Sequence, residues 1–315
     1  LLVAVPLHVI SVQSDVLNAS DSMTLPQEVN EALTDSVSAL NPISVAWRRT
    51  RTSPLPLEEA LSRINGSDYY GFFKPFDALY QRQSASCYFS ETTYIRTVAG
   101  EITSGLREVS FDGEKVYVGN GAKGDAAHTP ILRLQFDERA PAEFGEAELC
   151  YPEYFLAAGF QFPYAAKDLL TPPQHLVLSL IQQGDKITAV REASREGAYQ
   201  VELAGNNGRN LFGLAPEYGY AMRWREARNA SGRLVQRIEN SEFERVGTTN
   251  TWLPRVSTVA HYSWTSIPGK VYDQVVVEEV FSVSQIKRDR IPADRFALTD
   301  YTEPGTHIAD GTISD

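Results

Sequence analysis

From about residue 84 onward, apolar and polar side chains alternate with a period of two, and this pattern restricts the fold more than any other feature. The alternation is clear at residues 132–136, 199–203 and 220–224. A period of two places successive side chains on opposite faces of a strand, so each stretch is predicted to be a half-buried β-strand. Turn signals such as Asp112-Gly113 and residues 230–232 separate such stretches, which favours antiparallel neighbours. The sequence therefore predicts a mainly β chain.

The run at residues 274–286 indicates the shape of the sheet. Fully extended, it would be about 43 Å long at roughly 3.3 Å per residue. A strand of that length in a chain of this size must bend or coil. We therefore expect a curved antiparallel half-barrel, with helices covering its concave face, rather than a flat sandwich.

Two helices are predicted ahead of the strands. The first carries an apolar stripe with a spacing of three or four residues, formed by Leu25, Val29, Leu33, Val37 and Leu40. Thr24 and Gln27 form a possible capping box at its start, and Asn41-Pro42 is expected to end it. A second, shorter helix is predicted over residues 57–64, with Leu57, Leu61 and Ile64 on one face.

The first twelve residues are almost wholly apolar and are followed by sequence rich in Ser and Asp. They are typical of the apolar core of a signal peptide, and a buried N-terminal strand is the alternative. We expect residues 1–14 to be a truncated signal-peptide remnant and residues 20–312 to form a single domain. This interpretation predicts an exported protein of the periplasm or cell envelope.

The chain has two cysteines, Cys87 and Cys150. In an oxidising compartment they could form a disulfide, which would stabilise the fold by roughly 3 to 4 kcal/mol in the chain-entropy model. The alternative is two separately buried thiols that act as small hydrophobic groups. Both interpretations remain open at the level of sequence.

Charge and motifs exclude several classes of function. Acidic residues number 40 and basic residues 29, a formal net charge of −11, so nucleic acid is not an expected partner. Since no apolar run is long enough for a transmembrane helix, any membrane contact is expected to be peripheral rather than integral. The motifs G-x-S-x-G, H-E-x-x-H and C-x-x-C do not occur in the sequence. We therefore predict no catalytic residues, no metal site and no cofactor.

Two clusters of charge have ordinary structural interpretations. Arg48, Arg49 and Arg51 form a dense basic group, expected to be a solvated face or to contact the acidic body of the protein. Glu278 and Glu279 resemble a catalytic pair of carboxylates, but adjacent strand residues point to opposite faces. We do not expect either cluster to act in catalysis.

Aromatic residues concentrate in two segments that interrupt the alternation. Residues 69–80 and 151–164 contain 12 of the 33 aromatic side chains. Such segments could cover the concave side of the sheet and line an apolar cavity. Ordinary core packing is the alternative. The predicted cavity residues are Phe72, Phe73, Phe76, Tyr80, Tyr154, Phe155, Phe160, Met222 and Trp224.

The position of Trp224 follows from the alternation of its strand. Tyr220, Met222 and Trp224 share one parity, while Arg223 and Arg225 share the other. Because long charged side chains favour solvent, the face of Trp224 is expected to be the concave, covered one. The pattern therefore predicts that Trp224 is mostly buried.

Signposts in the C-terminal half resemble those of a known family. Residues 214–222 (LAPEYGYAM), 252–254 (WLP), 296–298 (FAL) and 304–310 (PGTHIAD) are similar to the "LDP..GY", "WLP" and "F.L...PGT.V.D" patterns of LolA-like proteins. That superfamily comprises outer-membrane lipoprotein-sorting carriers and uncharacterised bacterial relatives. The resemblance implies an open half-barrel sheet with short helices and an apolar cavity on its concave side. Ala215 departs from the family pattern, which usually has an acidic residue there.

The proline and glycine residues of these signposts also suit turns, and a structural role for all the signposts is the expectation. Ligand contacts by Tyr218 or Trp252 are the alternative.

Together these features predict a non-enzymatic binding protein of the bacterial cell envelope. Its expected ligand is apolar or amphipathic, such as a lipid or the acyl chain of a lipoprotein. A structural or interaction protein with a filled core is the second hypothesis, and a hydrolase is the third. The sequence indicates no oligomeric state.

Overall fold

The computed structural model describes residues 23–64, 71–96, 102–113, 115–122, 131–135, 153–162, 173–192, 197–263, 270–297 and 308–310. The helices are Gln27–Ser38 (α1), Leu57–Arg63 (α2), Glu153–Ala157 (α3), Leu176–Gln182 (α4) and Asp294–Ala297 (α5). The strands are Ile43–Thr52 (β1), Phe76–Gln83 (β2), Ser86–Arg96 (β3), Ile102–Phe111 (β4), Lys115–Ala122 (β5), Ile131–Gln135 (β6), Phe160–Gln161 (β7), Gln174–His175 (β8), Lys186–Arg191 (β9), Tyr199–Gly205 (β10), Gly208–Ala215 (β11), Ala221–Asn229 (β12), Leu234–Arg245 (β13), Trp252–His261 (β14), Val277–Lys287 (β15) and Ile308–Asp310 (β16).

Two antiparallel meanders join into one large open sheet. Strands β1 to β6 are neighbours in chain order, and so are strands β9 to β15. The halves meet where β1 pairs antiparallel with β15, while β16 pairs parallel with β6 at one edge. Strands β7 and β8 form a separate pair. The prediction of a mainly β fold, built on an open antiparallel sheet with short helices, is confirmed.

One face of the sheet carries the principal core, and we call it the covered face. Buried side chains from β1, β3, β4, β10, β11 and β13 to β15 pack there against α1, α3 and α4. Among the largest are Trp47, Phe111, Phe212 and Phe281. On the opposite face, which we call the outer face, Ile291 and Phe296 pack against Tyr88. The helices that cover the sheet therefore come mainly from the connection between its two halves.

Helices α1 and α2 form where the sequence predicts them, but their end residues and some buried residues differ from the prediction. Helix α1 buries Val29 and Leu33, as its stripe predicts. The expected capping box is wrong: the N-cap is Pro26, and no side chain caps the helix there. Ala60 in α2 and Ile64 directly after it are buried, whereas Leu57 is 60% exposed. Leu57 is the first residue of the helix and follows the N-cap residue Pro56, whereas the buried Ala60 lies one turn later.

The turn signals act as expected at two places. Gly113 (φ +110°) lies between β4 and β5, and Gly232 (φ +80°) lies between β12 and β13. The signpost at residues 214–222 also forms a turn, in which Pro216–Tyr218 is a single 3₁₀ turn and Gly219 is left-handed at φ +61°. Gly219 fits this place because an added Cβ would collide with the carbonyl oxygen of Asn250.

Several sequence predictions fall on residues outside the described ranges. Residues 1–22 and Cys150 are among them, so the signal-peptide remnant and the disulfide stay predictions. Cys87 is buried in the principal core. Within the described ranges, no helix has both the length and the apolar character that crossing a membrane requires.

Candidate functional site

A row of side chains crosses the covered face on five adjacent strands. Arg51 on β1 pairs with Glu279 on β15, which pairs with Val259 on β14, then with Ile238 on β13 and Arg225 on β12. Directly paired residues on neighbouring strands point to the same face. Because Ile238 and Val259 belong to the principal core, the charged members of the row also point toward the covered side.

Five titratable side chains meet at one end of this row, and we call them the charged cluster. Arg51 Nε donates to Glu279 Oε1, and Arg51 Nη2 lies 3.8 Å from Glu153 Oε1 of α3. Arg49 forms an ion pair with the other oxygen of Glu153. His261 Nε2 lies 2.9 Å from Glu279 Oε2. The side chains of Arg51 and Glu279 are only 7% and 8% exposed, so this ion pair is a buried one.

The surroundings of Glu279 keep it ionised. Burial by itself would raise the pKa of this carboxyl group. The hydrogen bond from His261 and the positive charges of Arg51 and Arg49 act in the opposite direction and hold its pKa well below the usual range. Glu279 is therefore an anion at neutral pH, and it is held by three basic side chains.

Two of the predicted cavity aromatics pack on the arginines of the cluster. The guanidinium carbon of Arg49 lies 4.3 Å from the ring centroid of Phe76, and that of Arg51 lies 4.5 Å from the ring centroid of Phe72. Phe73 is half-buried beside Phe72, with ring centroids 4.9 Å apart. Cation–π contact of this kind stabilises a desolvated guanidinium by about 2 kcal/mol. Phe72 and Phe76 therefore pack against the guanidinium groups of the charged cluster.

A cavity of about 290 Å³ lies between α3 and the sheet, next to the charged cluster. Its walls differ in character. The charged part consists of Arg51, Glu153, His261 and Glu279, and the apolar part is formed chiefly by Leu156, Ile238, Val259 and Phe281. A molecule with one polar end and one apolar end matches both parts.

Helix α3 forms the cover of this cavity and is attached to the sheet by polar contacts. Asn240 Nδ2 donates to the carbonyl oxygens of Ala157, at 2.9 Å, and Met222, at 2.8 Å. Tyr154 Oη donates to the carbonyl oxygen of Pro254 at 2.7 Å. Glu153 adds its ion pairs to Arg49 and Arg51. These polar contacts add to the core packing of Tyr154 and Phe155, and the ion pairs of Glu153 are partly open to solvent.

The other predicted cavity residues on this side lie in the principal core. Tyr80, Tyr154, Phe155, Phe160 and Met222 are all buried there. The ring centroids of Tyr80 and Phe155 are 5.2 Å apart, and Phe155 also packs against Phe162 at 4.4 Å. The residues that line the cavity by α3 include none of these five. Their role in ligand binding stays a prediction.

The placement of Trp224 on the concave side is wrong. Trp224 pairs with Gly213, and Met222 pairs with Leu214, so Arg223 is an extra residue on β12. This β-bulge reverses the alternation, because the extra residue shifts every later side chain to the other face. Met222 is fully buried on the covered face, whereas Trp224 is half-buried on the outer face.

Sequence reasoning missed the charged cluster. Arg49 and Arg51 are buried and pair with acidic side chains, which agrees with the second interpretation of the arginines, whereas Arg48 is exposed as the first one has it. The signal was present in β1, where Arg49 and Arg51 share the parity of the apolar Trp47. The opposite orientation of Glu278 and Glu279 agrees with the prediction, since Glu279 is buried and Glu278 is half-exposed. The described residues contain no group of three or more His, Cys, Asp or Glu side chains placed to hold a metal ion.

No family model matches this chain, and no curated protein matches it by sequence. Solved structures do resemble it. A LolA superfamily protein from Nitrosomonas europaea is 10% identical with a TM-score of 0.43, and the match covers 87% of this chain and 98% of the other. A DUF1329 family protein from Desulfovibrio piger is 10% identical with a TM-score of 0.36, with coverage of 88% and 100%.

An outer membrane lipoprotein-sorting protein domain from Vibrio parahaemolyticus is 8% identical with a TM-score of 0.37, and the match covers 87% of this chain and 97% of the other. The superfamily named for the Nitrosomonas protein is the one that the signpost residues resemble.

Proposed function

We propose that this chain is a non-enzymatic binding protein for an amphipathic molecule, such as a lipid or the acyl chain of a lipoprotein, in the bacterial cell envelope. The observation that carries the proposal is the two-sided cavity between α3 and the sheet, apolar at Ile238 and Phe281 and charged at Arg51 and Glu279. The envelope location is supported by the sequence signposts.

The apolar wall supplies affinity. Each methylene group removed from water stabilises a complex by about 0.8 kcal/mol. The cavity, at about 290 Å³, is just below the range of roughly 300 to 1,000 Å³ that is usual for ligand sites. A long acyl chain therefore requires α3 to move outward. Glu153 is 36% exposed, so its bonds to the arginines can be replaced by water or by a ligand, while Tyr154 and Phe155 keep α3 packed in the principal core.

The charged wall supplies orientation. Arg49 and Arg51 face Glu153 and Glu279, so the cluster is close to neutral as a whole. A polar head group that replaces Glu153 would meet two guanidinium groups, which bind carboxylate and phosphate oxygens well. We therefore expect ligands with a single anionic or zwitterionic head to bind more tightly than purely apolar molecules.

A direct experiment is titration with dansyl-labelled undecanoic acid, followed by the blue shift of the dansyl emission. We expect saturable binding to the wild type. Ile238→Trp and Leu156→Trp fill the cavity from its two sides and should weaken binding at least about tenfold, the equivalent of about 1.4 kcal/mol. Ser282→Trp adds the same ring to an exposed position on β15 and is the matched control.

Far-ultraviolet circular dichroism must show that each variant is folded, since overpacking alone costs about 1 to 3 kcal/mol. Absence of saturable binding by the wild type would contradict the proposal. Equal loss of binding in the Ser282→Trp control would also contradict it.

A structural or interaction protein with a filled core is the second candidate. The dense packing of Tyr80, Phe155 and Phe162 favours it, because these three rings fill part of the space between the sheet and its helices with one another. Native mass spectrometry of the purified protein separates the two candidates, since a carrier retains extractable lipid and a filled scaffold does not.

A further inference from the structure

A second, larger concavity lies on the outer face of the sheet, on the side away from α3. This groove has a volume of about 820 Å³ and is lined by residues of β10 to β14 and of the 3₁₀ turn before β12. Gln200, Gly213, Trp224, Glu239 and Thr258 pair in succession and form one row along it. The groove and the cavity by α3 share strands β13 and β14 and lie on opposite faces of them.

The floor of the groove is built around a flat indole ring. Trp224 lies over Gly213, so closely that a Cβ added at Gly213 would collide with atoms Cε2 and Nε1 of the ring. Because Gly213 has no side chain, the indole ring of Trp224 can pack directly against the backbone of β11. Trp224 itself lines the groove, and its side chain is only half-buried.

A second aromatic group stands at one end. Tyr218 stacks on Phe243 with ring centroids 4.7 Å apart, and it contacts Trp252 at 5.2 Å. Tyr218 and Phe243 both line the groove. Tyr218 belongs to the signpost at residues 214–222 and Trp252 to the one at residues 252–254. These two signposts are therefore in contact in the fold.

The backbone is irregular where these residues lie. The β-bulge at Arg223 turns Trp224 outward. Glu242 lies on β13 between the pairs Ser241–Val256 and Phe243–Pro254, where the register of the two strands continues unchanged. Glu242 has φ +54°, a conformation that residues other than glycine rarely adopt. Strained conformations and bulges concentrate at binding sites, where they direct particular side chains.

Most of the lining is polar, and four of its five charged side chains form ion pairs. Nine of the thirteen lining residues are polar or charged. Arg223 donates to Glu217 at 2.7 Å, Arg228 donates to Glu226 at 2.9 Å, and Arg237 pairs with Glu239 at 2.5 Å. Such pairs can still form hydrogen bonds with a ligand, but they offer little net charge to an ion.

We propose that this groove binds an oligosaccharide of uncharged sugars. A pyranose ring has an apolar face of C–H groups that packs on an aromatic surface, and hydroxyl groups at its edge that bond to carboxylate, guanidinium and amide groups. The indole of Trp224 and the ring of Tyr218 supply the aromatic surfaces. The paired Arg and Glu side chains supply the hydrogen bonds. The polar majority of the lining disfavours a lipid, and the net charge of −11 disfavours a nucleic acid.

The test is isothermal titration of the full chain with three tetrasaccharides: cellotetraose, maltotetraose and the N-acetylglucosamine tetramer. We expect saturable binding of at least one, with quenching or a shift of tryptophan emission. Trp224→Ala should weaken that binding about tenfold or more, and Trp224→Phe should retain part of it. Lys186→Ala, at an exposed position on β9 that lies outside the groove, should bind like the wild type.

Gly213→Ala provides a second variant that removes no ligand contact of its own. The added Cβ forces the indole away from the strand, so we expect weaker binding with every polar side chain of the groove still present. Binding that is unchanged in both Trp224→Ala and Gly213→Ala overturns the proposal, and so does the absence of binding to all three sugars. Tighter binding of a proline-rich peptide than of any sugar would also overturn it, since aromatic grooves of that kind have a different occupant. Dansyl-undecanoic acid binding should be the same in Trp224→Ala as in the wild type, so this test and that of the α3 cavity can fail independently.

Discussion

Arg51 and Glu279 stand directly opposite each other on β1 and β15 and form a buried ion pair, although 228 residues separate them in the chain. This pair joins the two halves of the sheet at the strand pairing where they meet. It also forms the charged wall of the cavity under α3. One contact therefore contributes to both the architecture and the candidate site.

Glu279→Gln should destabilise the fold strongly. The substitution keeps the shape of the side chain but leaves the buried Arg51 without its anionic partner on β15, and breaking a buried pair in this way costs roughly 3 kcal/mol. Urea denaturation measures the loss. Glu278→Gln is the matched control on the adjacent residue, which points to the outer face, and it should change the free energy of unfolding by less than about 0.5 kcal/mol. Equal effects of the two substitutions would contradict the buried position of Glu279.

Acid should destabilise the protein through His175. Burial lowers the pKa of this histidine from 6.5 to about 3, so the folded state keeps it neutral. Below pH 6.5 the unfolded chain binds a proton that the folded chain does not. The stability contributed by the neutral ring is therefore fully present above pH 6.5, and it is lost by about 1.4 kcal/mol per pH unit as the pH falls further toward 3.

His175→Asn isolates this effect, because the His175 ring accepts a hydrogen bond from the backbone N–H of Val177 and an asparagine can do the same without titrating. Between about pH 6 and pH 4.5, the stability of the variant should fall less steeply than that of the wild type, as measured by urea denaturation at each pH. Below pH 4.5, protonation of Glu279, whose pKa is lowered from that value, should destabilise both proteins. Parallel curves from pH 6 to 4.5 would show that His175 is protonated in the folded state.

Asn240 should control how firmly α3 is held. Asn240→Ala removes the donor to the carbonyl oxygens of Ala157 and Met222, and we expect a loss of about 1 to 3 kcal/mol together with faster amide hydrogen exchange in α3. Ser257 pairs with Asn240 on β14, and its buried hydroxyl group has no hydrogen-bond partner among the described residues.

Ser257→Ala is therefore the control and should leave stability unchanged or slightly higher. Exchange in α3 should not change in this variant. A similar acceleration in both variants would mean that disturbance of the core, rather than the bonds of Asn240, releases the helix.

The period-two pattern by itself determined the class of the fold and much of the orientation of the strands. Arg49 and Arg51 share the parity of Trp47, and Glu279 and Glu278 point to opposite faces, because the alternation of side chains is a local property of an extended backbone. The stripe of α1 likewise predicted Val29 and Leu33 as buried residues, since the helical period is also local.

Only the tertiary structure decided where the alternation of a strand is interrupted and which distant side chains come into contact. The bulge at Arg223 moved Trp224 to the outer face, and nothing in the alternation of residues 220–225 marks the extra residue. A bulge is defined by the pairing of two strands, so one strand's sequence does not specify it. The charged cluster likewise depends on β1 lying beside β15 and on α3 lying above both. Long-range pairing brings residues 51, 153 and 279 together, and it is settled by the packing of the whole sheet rather than by any local preference of the chain.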